Sequence, residues 1–429
     1  MPSNTSTAQA LLKDVYEDGV KNQLMNDVPE LELFEKLDDL NFEGRQVVMD
    51  VKVNRNRGSV ALPEGGLVPT SGRQQHENFK VPLKYQYGKA SLTEQVIRFS
   101  RSNKGSFART LRDEMDGLVQ DMRVQRSFYL WGWGLGIRAL INGAASSTTQ
   151  TFDAPGGVAG ATNGTKFLNE GDYIGFVNPT TGLLRLTTNH QITSVPAAGT
   201  TAVITATAST TDNDYVVKIA RTTGTLVIAD TEYGMTPMGI LGMIDDATYL
   251  DGYFGLSRTT FPILSSTVLT GVGALSADIL QRAFDVVMER GSGQPQYLLC
   301  RPDTFRAYLT ITEKDRRYTG GDLLNPDAGT SVVKKSWDTG AAFGGVPFKR
   351  CPDAPYGVIV GCDNRSGYRC AADDGSWVDR DGTIFERSTS AVDTWDLTYR
   401  IWDNYILTQP NQSFRLEGIS ANNVVVHRT

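Results

Sequence analysis

Apolar and polar residues alternate in two stretches early in the chain. Nearly every second residue is apolar over 44–58, and a similar alternation returns over 79–94. A period of two residues indicates strands. Between them lies SVALPEGGLVPTSG, residues 59–72, whose glycines and prolines indicate a turn region. The pattern therefore predicts an extended hairpin: two long strands with basic exposed faces, joined by a Gly-rich tip.

Helical spacing takes over after the hairpin. Apolar residues three or four positions apart over 102–130 predict a long amphipathic helix, which ends at the glycines of WGWGLG. A second helix is predicted over 276–290, where Gly291 follows as a stop signal. A third helix is predicted to begin near Pro302.

The N-terminal residues carry a weaker helical pattern. Loosely spaced apolar residues over 8–40 predict helix, with a break near Pro29 because the residue before a proline avoids the helical conformation. The segment has no obvious core of its own. We therefore interpret residues 1–43 as an acidic, weakly amphipathic arm.

The rest of the chain is predicted to be mostly strands. Residues 143–165 are rich in Ala, Thr, Gly and Ser and indicate a loop or linker. Short strand patterns then predict a small all-β module, at 172–178, 182–188, 202–207 and 214–220. Further strands are predicted at 296–300, 346–351, 356–362, 413–419 and 423–428. Together with the helices, these strands indicate the α+β class.

Charge is distributed unevenly along the 429 residues, whose net charge is −6. Residues 1–43 hold 3 Lys/Arg and 10 Asp/Glu, whereas residues 44–138 hold 16 Lys/Arg and 8 Asp/Glu. An acidic segment beside a basic one indicates complementary contacts, within one chain or between chains. Two solvated surfaces that never meet fit the charges equally well. The net charge does not by itself indicate nucleic-acid binding.

No targeting or membrane segment is predicted. The N-terminus lacks the basic and apolar regions of a signal peptide, and the longest strongly apolar run, 127–137, is too short to cross a bilayer. The four cysteines form no C-x-x-C pair. We therefore expect a soluble protein with free thiols, made in a reducing cytoplasm.

Most motifs of nucleotide binding and catalysis are absent from the sequence. One match to G-x-G-x-x-A begins at Gly134, but it follows a predicted helix rather than a strand, so we interpret it as a helix stop. The Gly-rich tip is followed by Arg73 and Gln74, where a phosphate-binding loop requires Lys and Ser or Thr. The chain contains no G-x-S-x-G nucleophile motif. The three histidines, which lack zinc-site spacing, are His76, His190 and His427. We therefore expect no catalytic, cofactor or metal site, and no enzymatic activity.

One acidic run, residues 373–386, keeps a weak alternative open. Its spacing does not fit a calcium-binding loop, because the first and last ligand positions carry the wrong residues. A hydrolase with dispersed carboxylates would use Asp373, Asp374, Asp379 and Asp381. A turn between two strands is the simpler interpretation.

Four stretches carry a resemblance to a known family. They are VVMDVKVNRNRGSVALPEGGLVPTSG, then KASLTEQVIRFSRSNKGSFARTLRDEMDGLVQDMRVQRSFYLWGWG, and finally QYLLCRPDTFRAYLTI with FGGVPFKRCPDAPYGVIVGCD. In their order along the chain and in their residue patterns, they resemble the tailed-bacteriophage major capsid proteins of the HK97-like fold. The resemblance covers most of the chain outside the β-rich module.

The resemblance implies a division of the chain. Its parts are an N-terminal arm (1–43), an extended loop (44–92), a peripheral domain with a spine helix (93–142), a β-rich insertion (143–235), a connection within the core (236–270), an axial domain (271–365), and a return to the peripheral domain with C-terminal strands (366–429). It also implies a function. Subunits would assemble into hexamers and pentamers of an icosahedral shell around double-stranded DNA.

Partners follow from the same resemblance. The chain would contact itself, and also portal, scaffold or decoration proteins, with loose non-specific contact to packaged DNA and none to a membrane. It would be located in the virion after synthesis in the host cytoplasm. The expected inter-subunit contacts, all in the basic hairpin and its tip, are Arg55, Arg57, Glu64, Arg73, Lys80 and Lys84.

A two-stranded ribbon is marginal alone in water, so we expect a neighbouring subunit to support it. Deletion of residues 1–40 is expected to leave soluble protein that cannot close shells. Two alternatives remain open: an encapsulin-like shell protein that encloses a cargo enzyme, and a host- or glycan-binding virion surface protein built around the β-rich module.

Overall fold

A computed structural model shows an α+β protein with few helices and many strands, which confirms the predicted class. The strands form two mixed sheets, a closed barrel, a two-stranded ribbon and a small hairpin. The described residues are 29–37, 46–95, 104–161, 163–196, 199–220, 224–291, 293–312, 338–379, 386–387 and 393–421.

The first sheet is built around the longest described strand, β20 (Thr394–Leu407). It pairs antiparallel with β18 (Gly367–Trp377), with β19 (Glu386–Arg387) and with β4 (Lys84–Thr93). The short β1 (Glu35–Lys36) adds to β18 in parallel. This sheet therefore joins the beginning of the chain to its end.

A long helix, α1 (Lys104–Leu130), packs against β4 of this sheet, in agreement with the helix predicted over 102–130. The approach is close, because a Cβ atom at Gly88 would lie 3.0 Å from the Met122 sulfur and 3.1 Å from Leu118. A glycine in the strand thus leaves room for the apolar side of the helix.

A buried ion pair fixes the helix on the sheet. Arg126 Nη2 of α1 donates to Asp403 Oδ2 of β20 at 2.5 Å, and both side chains are buried. Gln86 Nε2 of β4 donates to the other carboxylate oxygen at 3.0 Å. The Tyr405 hydroxyl lies 3.1 Å from both Arg126 Nη2 and Asp403 Oδ2. Three elements therefore meet at one carboxylate.

The predicted hairpin is present as a ribbon of β2 (Gln46–Asn54) and β3 (Gln75–Pro82). One face of the ribbon is buried against the same chain, because Val47 and Phe79 belong to the main apolar core. The Phe79 ring packs edge-on against Tyr253 with centroids 5.4 Å apart. The base of the ribbon is thus supported within the subunit, and only residues beyond it need a neighbour.

The second predicted strand, 79–94, is divided. Its first part lies in β3 and its second part is β4, which leaves the ribbon and pairs with β20 over ten residues, from Lys84 to Thr93. The strand changes its pairing partner at Pro82 and Leu83. Proline has no N–H to donate to the hydrogen bonds of a sheet. The extended hairpin therefore ends earlier than the predicted residue 92.

A six-stranded closed barrel follows α1, with strand order β10-β5-β6-β9-β8-β7. Its strands are β5 (Ile137–Ile141), β6 (Ala145–Asp153), β7 (Tyr173–Val177), β8 (His190–Ser194), β9 (Thr201–Thr210) and β10 (Tyr215–Lys218). Buried Phe152, Phe176 and Val216 belong to its apolar core.

Three predictions within this region differ from the structure. Residues 143–165 contain strand β6 rather than only a linker, because the Ser/Thr-rich sequence ASSTTQTFD pairs with β5 and β9. Residues 182–188 form no strand, and only an isolated bridge joins Leu184 to Val177. The barrel also begins at Ile137, before the predicted start of the insertion at 143.

The second sheet has the order β13-β21-β17-β14-β16-β15. Its strands are β13 (Thr267–Leu269), β14 (Tyr297–Cys300), β15 (Asp338–Phe343), β16 (Val346–Arg350), β17 (Ile359–Cys362) and β21 (Phe414–Leu416). Two helices join its apolar core, α3 (Ala277–Gly291) and α4 (Pro302–Thr312), close to their predicted positions. The strand predicted at 423–428 lies outside the described residues.

Short elements connect these units. They are α2 (Ile240–Met243), strands β11 (Gly252–Tyr253) and β12 (Leu256–Ser257), and 3₁₀ turns at Pro29–Glu32, Pro155–Gly157, Ile228–Asp230, Pro262–Leu264, Asn364–Ser366 and Pro410–Gln412. Buried Arg415 ties α2 to the second sheet, because its guanidinium donates to the Leu241 and Ile244 carbonyls and to Asp245.

The described part of the N-terminal arm is integrated into the core. Residues 29–37 form a 3₁₀ turn and strand β1 rather than a continuous helix, so the helix predicted over 8–40 is wrong here. Leu33 and Phe34 are buried in the main core. Deleting residues 1–40 would therefore remove core side chains, and a truncation that tests the arm has to end before Pro29.

We predict that Asp403→Ala lowers the free energy of unfolding by about 3 kcal/mol or more, because it leaves the buried Arg126 guanidinium without its carboxylate. Lys89→Ala is the matched control. Lys89 Nζ pairs with Asp396 at 2.7 Å between the same two strands, but the Lys89 side chain is 59% exposed, so its loss should cost less than about 1 kcal/mol. Urea denaturation measures both changes, and equal losses would contradict the role given to Asp403.

Candidate assembly surface

Residues 55–74, which join β2 to β3, are here called the tip. They form no helix or strand, and almost all of them are exposed. Four apolar side chains face solvent: Val60 (60% exposed), Leu62 (45%), Leu67 (92%) and Val68 (88%). Exposed apolar patches on a folded chain are typical of contact surfaces, so the tip is a candidate for one.

Backbone geometry accounts for the glycines of the tip. A Cβ atom at Gly72 would lie 2.1 Å from Asn56 Oδ1 and 2.8 Å from the Gly58 nitrogen, so the two sides of the tip touch at a narrow neck. At the far end Gly65 has φ +77°, a conformation that favours glycine. The Gly-rich sequence thus closes the neck and turns the chain.

Four of the six predicted contact residues lie on the tip. Arg55, Arg57, Glu64 and Arg73 are exposed, and none forms a side-chain hydrogen bond or ion pair with another described residue. Both ends of the tip are close in space, since Asn54 pairs with Gln75. The three arginines therefore lie near the neck and give the tip a positive base.

The other two predicted residues lie elsewhere. Lys80 is exposed on the outer face of β3, opposite Val48. Lys84 belongs to β4, where its ammonium donates to the Gly234 carbonyl at 2.6 Å, and burial lowers its pKa. Lys84 is therefore occupied within the subunit, and the structure does not bring it to the tip.

A second surface was missed by the sequence reasoning. A cavity of about 500 Å³ lies between β4, α1 and residues 229–236. Tyr85 and Tyr87 on its edge are 51% and 58% exposed, and Leu118 lines it. Asp121 also lines it, and partial burial raises the pKa of that carboxyl. The alternation over 79–94 includes these two tyrosines, but it predicts that they lie in the hairpin rather than at a cavity.

Two of the dispersed carboxylates, Asp373 and Asp374, are each paired with an arginine. Asp373 accepts a hydrogen bond from Arg400 Nε at 2.7 Å, and Asp374 accepts one from Arg369 Nη2 at 2.6 Å. Burial would raise the pKa of Asp373, but hydrogen bonds from Ser376 and Arg400 outweigh it and lower that pKa. A general acid needs a raised pKa instead. Asp381 lies outside the described residues.

Other chemistry is also limited over the described ranges. No group of three or more His, Cys, Asp or Glu side chains is placed to hold a metal ion there. All four cysteines are buried as free thiols, and burial raises the pKa of each, to about 12 for Cys362. Among the same residues no helix is both long and apolar enough to span a bilayer.

We predict that the exposed tip contributes nothing to the stability of an isolated subunit. The double variant Leu67→Ser/Val68→Ser should change the free energy of unfolding by less than about 0.5 kcal/mol, because both side chains are already in water. Phe79→Ala, at the buried base of the same hairpin, should cost about 3–5 kcal/mol. Thermal and urea unfolding of the dissociated chain measure both. A large loss in the double variant would mean that the tip packs on its own subunit.

Comparisons of sequence find no match: neither a protein-family model nor a curated protein matches the chain. Comparison of structures does. The capsid asymmetric unit of cyanophage A-1(L) matches with a TM-score of 0.55 at 10% identity, over 96% of this chain and 98% of that one.

Two further similar structures score lower. The capsid of a native GTA particle matches at TM-score 0.49 and 9% identity, covering 98% of this chain and 100% of that one. The holo-SrpI encapsulin complex of Synechococcus elongatus PCC 7942 matches at 0.48 and 9%, covering 100% of each chain. The cyanophage capsid has the highest TM-score of these three structures, and a match at 10% identity shows a shared fold. The chain has the HK97-like fold of tailed-phage major capsid proteins, as its sequence resemblance predicted.

Proposed function

We propose that this chain is a major capsid protein, whose copies assemble into the hexamers and pentamers of an icosahedral shell around double-stranded phage DNA. The observation that carries the proposal is the tip, an exposed apolar segment held out from a capsid-type fold on a ribbon anchored in the core. The role is structural, without catalysis.

Energetics support an intermolecular use of the tip. Each buried aliphatic side chain contributes about 1.5–3 kcal/mol relative to exposure in water. Leu67 and Val68, at 92% and 88% exposure, obtain almost none of this within their own subunit. If a second copy covers these two side chains, this free energy of burial stabilises the contact between the copies. Since each subunit both gives a tip and receives one, the contact is heterologous, and such a contact forms a ring when the rotation between neighbours closes.

The cavity beside Tyr85 and Tyr87 is the acceptor that we favour for a neighbour's tip. Its exposed aromatic rings suit aliphatic side chains. Its lining carries the Asp121 carboxylate, and also Lys218, whose charge acts on that carboxyl. The neck of the tip carries Arg55, Arg57 and Arg73, which supply the charge opposite to Asp121. The exposed rings and the Asp121 carboxylate support this docking arrangement.

Each structural unit has a proposed place in the subunit. Residues 1–43 are the N-terminal arm and the ribbon with its tip is the extended loop. Helix α1 is the spine helix of a peripheral domain completed by β4, β18 and β20. The second sheet with α3 and α4 is the axial domain, which adds β13 and β21 to the predicted 271–365. The barrel, which begins at Ile137, is the insertion.

Contact with DNA is proposed to be loose and non-specific. A net charge of −6 favours few phosphate contacts, and tight binding through many of them would hinder packing and release. Portal, scaffold or decoration proteins are the further partners. The chain is made in the host cytoplasm and becomes part of the virion.

Assembly of the tip variant tests the proposal. Full-length Leu67→Ser/Val68→Ser should remain folded but lose shells, with assembly reduced at least about tenfold, since two buried aliphatic side chains are removed from every contact. Met288→Ser is the matched control, because Met288 is a 70% exposed apolar residue that belongs to α3 and not to the tip. Sedimentation velocity measures the shell fraction. Normal shells from the double variant would contradict the proposed contact.

The contents of the shells distinguish the capsid from an encapsulin-like compartment. Shells isolated from infected cells should protect DNA of genome length from nuclease. Shells that instead hold a single cargo protein and no DNA would replace the proposal with the encapsulin-like alternative.

A further inference from the structure

Glu30, in the 3₁₀ turn of the N-terminal segment, occupies a closed site at the end of α1. Its side chain is buried, with 1% exposure. Trp131 Nε1 donates to Glu30 Oε1 at 2.8 Å. Ser127 Oγ lies 3.5 Å from Glu30 Oε2 and 2.6 Å from Asp353 Oδ2. One serine hydroxyl thus stands between two buried carboxyl groups.

The Ser127 hydroxyl does not satisfy both carboxyl groups. A hydroxyl has one hydrogen, and the 2.6 Å contact indicates that it is donated to Asp353, whereas Glu30 Oε2 lies 3.5 Å away and has no short hydrogen bond from Ser127. As a carboxylate, Glu30 would be a buried charge beside a second carboxyl group, and a proton on Glu30 removes that charge.

The groups around Glu30 act on its pKa in both directions. Two titratable groups face it from the loop after β16: the charge of Asp353 raises its pKa, whereas a hydrogen bond with the Cys351 side chain lowers it. Ser127 of α1 and Trp131, the residue after that helix, are uncharged, and the hydrogen bond from Trp131 also lowers the pKa. Lys166 approaches the same loop from the barrel side and donates to the Pro352 carbonyl at 2.8 Å. No lysine or arginine forms an ion pair with Glu30 among the described residues. Burial, and next the charge of Asp353, raise the pKa of Glu30 to about 7.

The segment that carries Glu30 holds the N-terminal arm to the body of the subunit. The Phe34 ring packs against Tyr405 with centroids 5.5 Å apart. Glu35 and Lys36 pair with β18, and the Leu37 N–H donates to the Arg369 carbonyl at 3.1 Å. The buried carboxyl is thus one of the contacts that fix residues 29–37.

We propose that Glu30 is a pH-sensitive anchor of the N-terminal segment, which binds firmly when Glu30 is an acid and loosens when it becomes a carboxylate beside Asp353. Docked Glu30 has a pKa of about 7 against an ordinary value of 4.5. Docking is therefore strongest below pH 4.5, weakens as the pH rises toward 7, and is weakest above 7.

Hydrogen exchange of the full-length chain tests the anchor, with rates corrected for intrinsic exchange. From pH 5.5 to 8 the opening equilibrium of amides in 29–37 should rise roughly 10- to 30-fold, because an undocked carboxyl releases its proton more readily. Glu30→Gln should abolish this rise. Glu35→Gln, an exposed residue of the same segment, should retain it. Asp353→Asn should lower the pKa of Glu30 and shift the rise to lower pH.

Each outcome decides the matter. A flat wild-type profile, or an unchanged rise in Glu30→Gln, would overturn the anchor. If Glu30→Gln disrupts the fold, the shift in Asp353→Asn still tests it, and an unshifted profile there overturns it. Because the readout lies within one subunit, failure would leave the shell function untouched. Conversely, a chain that shows the expected pH dependence of residues 29–37 but forms no shells would support the anchor and contradict the shell function.

Discussion

The contact between Arg126 and Asp403 fixes the subunit from which everything else extends. Removing both charges from water is costly, and only complete hydrogen bonding offsets the cost. Asp403 obtains it from Arg126 of α1 and Gln86 of β4, with Tyr405 alongside. Because the hydrogen bonds of Asp403 require α1, β4 and β20 together, they form at only one position of the helix on the sheet. The end of α1 is thereby placed where Ser127 and Trp131 meet the N-terminal segment.

The hairpin divides its sequence between two roles. Its base belongs to the core, through Phe79 and Val81, while the tip keeps Leu67 and Val68 in water. Stability of the subunit and attachment to a neighbour are therefore encoded in separate residues of one hairpin. A rigid base also limits the entropy lost when the tip becomes ordered in a contact.

Local periodicity predicted the helices and many strands well. The spacing of apolar residues in α1, α3 and β17 is a property of short stretches, and it survives in the fold. The β6 strand was missed because its Ser/Thr-rich sequence has few apolar side chains to mark a period. Long-range pairing was also invisible: Arg126 and Asp403 are 277 residues apart, and no local pattern connects them.

The candidate surface was predictable only in part. The Gly-rich tip and its arginines followed from composition, because glycine and proline punctuate a turn whatever lies beside it. Lys84 was misplaced since alternation continues across Pro82 while the backbone changes partner. Glu30 gave no signal at all. A single glutamate in a sequence is expected at the surface, and only the structure shows that Glu30 is buried.

Cryo-electron microscopy of the full-length chain under assembling conditions tests the shell account most directly. It should show closed shells in which the tip of each subunit lies on an adjacent copy, with Leu67 and Val68 covered. Persistent monomers under every condition, or shells whose tips face solvent, would contradict it.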